Sequence, residues 1–133
     1  MELVVNPKIN LSDLVEFYQK GGWTAEEDLD DLRKGLKKSY VIAAYDGDEM
    51  VGFIRAISDY VTTAFIQDLM VLPQYSNSHI GEKLVQHVLR YFDSMKHVGV
   101  IVPHYSDKTD KFFRYLGFKK ASDLGFMAYV TGY

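Results

Sequence analysis

The chain has 133 residues, 47% of them hydrophobic, which is enough for one compact domain over 1–133 with a single core. Its 15 Lys and Arg against 18 Asp and Glu leave a formal charge of −3, so neither a nucleic acid nor an anionic membrane is an expected partner. The absence of cysteine excludes disulfides, thiolate zinc sites and cysteine nucleophiles, and fits a reducing compartment such as the cytoplasm.

Leu3 to Val5 reads as a short strand ended by Asn6-Pro7, and nothing at this end resembles a signal peptide or a membrane span. Leu11 to Gln19 reads as a helix with Leu11, Leu14, Val15 and Tyr18 on one face, stopped by Gly21-Gly22. Thr24-Ala25-Glu26-Glu27 forms a capping box, opening a helix that runs to about Lys38 and buries Leu29, Leu32 and Leu36. Tyr40 to Tyr45 and Met50 to Ser58 are strands joined by the hairpin turn Asp46-Gly47-Asp48-Glu49. A second turn near Asp59-Tyr60 leads to a longer strand, Thr63 to Leu72. His79 to Met95 is the long helix, its inner stripe formed by Ile80, Leu84, Val88, Tyr91, Phe92 and Met95. Val98 to Val102 is apolar enough for a strand buried on both faces. Asp107 to Tyr115 is a short helix, and Phe118 onward and Phe126–Val130 read as two final strands. The pattern predicts a mixed α/β sheet with one central crossover around the long helix.

The junction from Asp68 through Pro73 and Ser76-Asn77-Ser78-His79 into the helix at Ile80-Gly81 carries the strongest chemical signal. A strand stops at a proline, and a short polar loop opens directly into a helix. Unpaired N–H groups and the positive end of the helix dipole then converge on one point, a natural cradle for phosphate or pyrophosphate. Asn77 and Ser78 are also suited to cap the helix.

Three segments in order resemble the GNAT superfamily of acetyl-CoA-dependent N-acetyltransferases. The family's V-x-P-x-Y-R-G-x-G-I-G-x-x-L is met by Val71, Pro73, Tyr75, Ile80, Gly81 and Leu84; its F-Y-x-x-x-G-F by Phe112 to Phe118; and its second and third strands by Tyr45 to Phe53. The resemblance implies the GNAT acyl-CoA N-acyltransferase fold, a mixed, mostly antiparallel sheet with helices on both faces. It also implies acetyl-CoA as co-substrate, in a V-shaped opening between the fourth and fifth strands. Met70, Val71 and Leu72 then serve the pantetheine arm, and Ser76, Asn77, Ser78, His79, Ile80 and Gly81 the pyrophosphate; no metal is required. Ser76 departs from the family's Arg or Gln, and His79 from the first glycine of its G-x-G pair, where a side chain narrows the approach to phosphate unless it points outward. Phe113 stands where many members have a tyrosine that protonates the departing thiolate. It is a candidate cofactor contact, with plain core packing as the alternative.

Attack on a thioester needs a neutral amine, so a group near the amine must take a proton from it. Asp68, set within an apolar run, is the first candidate base, with a structural acceptor role as the alternative; unless paired, it should be hard to ionise there. His104, directly after the fifth strand, is the second candidate. Tyr18, Trp23, Arg55 and Tyr60 are candidate substrate-wall residues, Arg55 being equally able to pair with Asp59 or Asp68. The expected function is direct acetyl transfer to a primary amine of a small molecule, with a homodimer allowed. The rival is a catalytically silent CoA-binding or protein-interaction domain.

Overall fold

The computed structural model describes residues 1–22 and 27–132, so the Thr24 capping box and Trp23 lie outside the described residues. The chain divides into two compact units, Met1–Ile101 and Val102–Tyr133.

The first unit is built on a five-stranded sheet of β1 (Glu2–Val5), β2 (Tyr40–Asp46), β3 (Glu49–Ser58), β4 (Thr63–Val71) and β5 (His97–Val100), arranged in that order. The first three pairings are antiparallel and β4–β5 is parallel, as the family resemblance led one to expect. Parallel neighbours need a crossover, supplied by α3 (Ile80–Tyr91). Beyond β1, Asn6 continues the pairing from backbone and side chain together: its N–H donates to Val41 O and its Oδ1 accepts from Val41 N–H, at 2.7 and 2.9 Å.

Helices cover both faces. On one, α1 (Leu11–Lys20) is capped by Asn10 and places Phe17 and Tyr18 within 6.2 and 5.9 Å of the Phe53 ring. Beside it runs α2 (Glu27–Leu36), with Leu29 fully buried. On the opposite face α3 buries Ile80, Leu84, Val85 and Val88. Its fit requires a glycine: a Cβ on Gly52 of β3 would lie 2.7 Å from Ile80 Cγ2 and 3.3 Å from Leu84 Cδ1. The helix is shorter than the apolar stripe suggested. It ends at Tyr91, which is half exposed and stacked on Tyr40 at 3.9 Å, and only Phe92 beyond it is buried.

In the second unit, α4 (Asp107–Tyr115) starts at Ser106, whose Oγ accepts from Thr109 N–H. Phe112, Phe113 and Phe118 form its aromatic cluster, with centroids 5.1 and 5.3 Å apart. The two final strands are absent among the described residues. Ala121–Leu124 is a short 3-10 turn, and Phe126, Met127, Tyr129 and Val130 are exposed. Composition favours strands there, but a strand needs a ladder to a neighbouring strand, and among the described residues the sheet ends at β5. In the same way β5 is shorter than expected and only half buried, because it is the outer strand of the sheet.

The turn between β3 and β4 is closed by Asp59. Its carboxylate accepts from the N–H groups of Val61, Thr62 and Thr63 and from Thr62 Oγ1, at 2.6 to 3.2 Å. These bonds, led by the Thr62 hydroxyl, hold the Asp59 carboxyl well below its ordinary 3.8. A depressed folded value contributes stability above the ordinary value, and the contribution is lost as pH falls through the folded value. Asp59→Ala should therefore lower the melting temperature at neutral pH, with the gap to the unmodified protein closing in strong acid; thermal unfolding across pH reads this directly.

Candidate active site

Among the described residues β4 and β5 pair only from Thr63↔His97 to Ile66↔Val100, so the β4 residues from Gln67 to Val71 have no partner on the β5 side, and Asp68 to Val71 pair with β3 alone. At roughly 3.3 Å per residue, about 16 Å of β4 edge is left with alternate N–H and C=O groups open. Between Ile66 and Asp68 the register with β3 shifts: Ala56 faces Ile66, Arg55 faces Asp68, and Gln67 is the extra residue of a bulge.

The bulge decides which way Asp68 points. It brings Asp68 onto the α1 and α2 face opposite Arg55, whose Nε donates to Asp68 Oδ2 at 2.7 Å; the two side chains are 16% and 30% exposed. Arg55 Nη1 also reaches Ser39 Oγ at 3.4 Å, and Ser39 Oγ donates to Gly35 O of α2. Asp68, the first candidate base, is thus ion-paired, and of the two carboxylates open to Arg55 it is Asp68 that holds it. Among the described residues, Asp68 Oδ1 has no hydrogen bond. Tyr18 is 2% exposed and packs in the core instead of forming an open wall. Burial first, then the nearby Asp68 carboxylate, push its hydroxyl well above the ordinary tyrosine range, with Arg55 acting in the other direction.

Met70 is half buried, and its Cε lies 2.3 Å from where a Cβ on Gly21 would stand, so the glycine ending α1 makes room for it. Val71 is also half buried. Leu72 departs from its expected role. Its N–H donates to Val51 O at 2.9 Å and its side chain is 1% exposed, so it belongs to the core. Tyr60 also departs: it lies in the turn at the far end of β4, about 15 Å along the strand from Asp68, with its ring 5.9 Å from Phe92.

After β4 the chain makes a 3-10 turn, Pro73–Tyr75, and enters α3 through Ser76, Asn77, Ser78 and His79, all four exposed. Asn10 caps α1 and Ser106 caps α4, but no side chain caps α3. The expected caps do not form because Ser78 Oγ donates backward to Tyr75 O. The first-turn N–H groups of α3 are therefore open to an external acceptor. Ile80 offers only its backbone, since its side chain is buried. His79 takes a glycine-like conformation at φ 63, ψ 16, and its imidazole is 76% exposed with Nδ1 3.2 Å from Glu82 Oε2. The backbone geometry of a glycine is kept while the side chain turns outward.

His104 and Phe113 lie in the second unit. His104 is exposed at φ 53, and Phe113 packs edge-on against Phe112 and Phe118. Sequence reasoning missed the 2.6 Å bond from Tyr75 Oη to Asp46 Oδ2. Its local sequence marks Asp46 only as part of a turn.

The donor set fits acetyl-CoA: a one-sided strand for an amide-bearing arm leads to an uncapped helix start for a pyrophosphate. A family model described as acetyltransferase (GNAT) family matches residues 9–118. A GNAT-family acetyltransferase from Streptococcus pneumoniae TIGR4 superposes with a TM-score of 0.87 and 29% identity, over 99% of this chain and 97% of its own. The N-acetyltransferase PaiA of Thermoplasma acidophilum, solved in complex with coenzyme A, matches at TM-score 0.66 over 90% of this chain and 91% of its own; at 18% identity it bears on the fold alone. Among curated relatives, histone acetyltransferase TAP1 of Glycine max is 28% identical over 84% of this chain and 52% of its own length. The chain spans about half the length of the curated relatives it matches first. With the motif residues standing on these elements and a family match across most of its length, the chain belongs to the acetyltransferase (GNAT) family.

Proposed function

We propose that this protein transfers an acetyl group from acetyl-CoA directly to the primary amine of a small molecule. The observation that carries the reading is the run of one-sided β4 backbone from Gln67 to Val71, leading into the uncapped start of α3. Bound acetyl-CoA supplies a thioester carbonyl for the amine nitrogen and a thiolate that leaves.

The chain's part is to bind and orient. In this reading the backbone of Met70 and Val71 pairs with the arm, and the N–H groups from His79 to Gly81 receive the pyrophosphate, those of Ser76 and Ser78 being engaged by Pro73 O and Tyr75 O. Such an arrangement puts the reacting end beside Gln67 and Asp68. Taking a proton onto Asp68 would break its ion pair with Arg55, so Asp68 serves better as a dock for the substrate ammonium through Oδ1 than as the base. Water takes the proton that the docked ammonium must lose before it attacks, and the second proton, lost as the amide forms, passes to the departing thiolate or to solvent. A protein lysine as acceptor is the second reading, favoured by the name of the Glycine max relative.

Binding is checked by thermal shift and calorimetry with acetyl-CoA. A ligand at a hundredfold excess over its Kd stabilises the native state by about 2.7 kcal/mol. An unmoved melting temperature with no heat of binding would sink the proposal. Release of CoA thiol with aryl-alkylamines, polyamines, amino acids and histone peptides identifies the acceptor class. Tight CoA binding with no turnover of any acceptor would favour the silent binding domain.

Asp68→Asn keeps an oxygen for Arg55 but removes the charge that holds an ammonium. It should raise KM for the amine at least tenfold, the scale of one charged hydrogen bond, with little change in affinity for CoA. A loss confined to kcat, growing as pH falls, would restore the general-base role.

His79→Gly should relieve the left-handed strain, on the order of 1 kcal/mol, raising the melting temperature and tightening CoA. Weaker CoA binding would show that the imidazole itself contacts the ligand.

A further inference from the structure

The hydrogen bonds of Ser76 and Ser78, in the loop between β4 and α3, close on the 3-10 turn just before it. Ser76 N–H donates to Pro73 O at 3.2 Å, and Ser78 N–H to Tyr75 O at 3.0 Å, with Ser78 Oγ reaching the same carbonyl. Tyr75 is therefore the post on which the loop hangs. Among the described residues the loop's link to distant sequence is the phenol of Tyr75, which donates to Asp46 Oδ2 at 2.6 Å across 29 residues of chain. Asp46 is the last residue of β2, at the two-residue hairpin turn where it pairs with Glu49. Hairpin geometry fixes its position, and the carboxylate raises the phenol's pKa by accepting its proton as a hydrogen bond.

We propose that Asp46 and Tyr75 are positioning residues for the pyrophosphate of CoA, acting through the loop they hold and not by touching the ligand. The inference rests on the reading above that CoA binds at this loop. It has a sign that simple electrostatics lacks: a carboxylate near a pyrophosphate repels it, so by charge alone losing Asp46 should strengthen binding. As an anchor, its loss weakens binding.

The experiment uses Tyr75→Phe, which keeps the half-buried ring and removes only the hydroxyl, together with Asp46→Ala and the double variant. Calorimetry is run with CoA, 3′-dephospho-CoA and pantetheine. Each single variant should bind CoA and 3′-dephospho-CoA about tenfold more weakly, the scale of one charge-assisted hydrogen bond. Pantetheine, which has no pyrophosphate, should be unaffected. The double variant should lose no more than either single one, since both remove the same bond. In turnover the loss should fall on KM for acetyl-CoA rather than on kcat. Unchanged or tighter CoA binding in Tyr75→Phe or Asp46→Ala overturns the inference, as does an equal loss for pantetheine, which would mark a general structural effect. If the unmodified protein binds no CoA, the functional reading itself fails, and this inference with it.

Discussion

β4 is nine residues long and its parallel neighbour β5 is four. A ladder needs backbone on both sides, so where β5 stops, β4 keeps its bonds to β3 and loses them on the other flank. A buried strand in that condition would carry a penalty for every orphaned amide. A strand that meets an extended, amide-bearing ligand instead gains a partner. The short fifth strand, the one-sided segment of β4 and the helix start beyond it are thus consequences of a single mismatch in length. Gly52 belongs with them. By omitting a side chain it lets Ile80 sit close to β3, and this sets how high the open end of α3 stands above the sheet.

The opposite face of the same strands is organised by charge. Arg55 and Asp68 neutralise each other in a partly buried position, with Ser39 and Gly35 of the α2 end beside them. Removing one partner of such a pair is costly because the other is left with its desolvation unmet. Pairing also narrows what Asp68 can do chemically. It fixes the carboxylate's orientation and leaves one oxygen for a cation.

Much of the fold was legible because local pattern and tertiary structure agree. The ends of α4, Asp107 and Tyr115, and the hairpin turn after Asp46 follow from capping and turn chemistry that acts within a few residues. Apart from the α3 cap, which Ser78 forfeits to the nearby Tyr75 carbonyl, the failures are mostly non-local. Phe126 to Val130 has a strand's composition, but the described residues form no strand there. Met95 continues the apolar period of α3, but the backbone leaves the helix at Tyr91. For Arg55, Asp59 and Asp68 were equal candidates, and only register distinguishes them: Asp59 is occupied by its own turn while Asp68 stands directly opposite. The Tyr75–Asp46 bond spans 29 residues between two segments whose local signals describe a turn and a loop. Where the resemblance named residues by position, it gave Leu72 a role that its buried side chain and engaged N–H do not leave open.

Side chains two apart on a regular strand share a face; on β4 they do so on each side of Gln67 but not across it. Ile66 and Leu69, three apart, both face α3, while Asp68 and Met70 face α1. The bulge is a phase shift in the strand's alternation. In a comparison of related sequences, a gap at Gln67 alone would leave these faces as they are, because Asp68 would then follow Ile66 directly and still stand opposite Arg55. The change with a cost is the reverse one, in which Gln67 is drawn into the ladder opposite Arg55: Asp68 would turn beneath α3 and Leu69 toward α1. What keeps the carboxylate opposite Arg55 is therefore the register of β4 against β3, and not the number of residues in the strand.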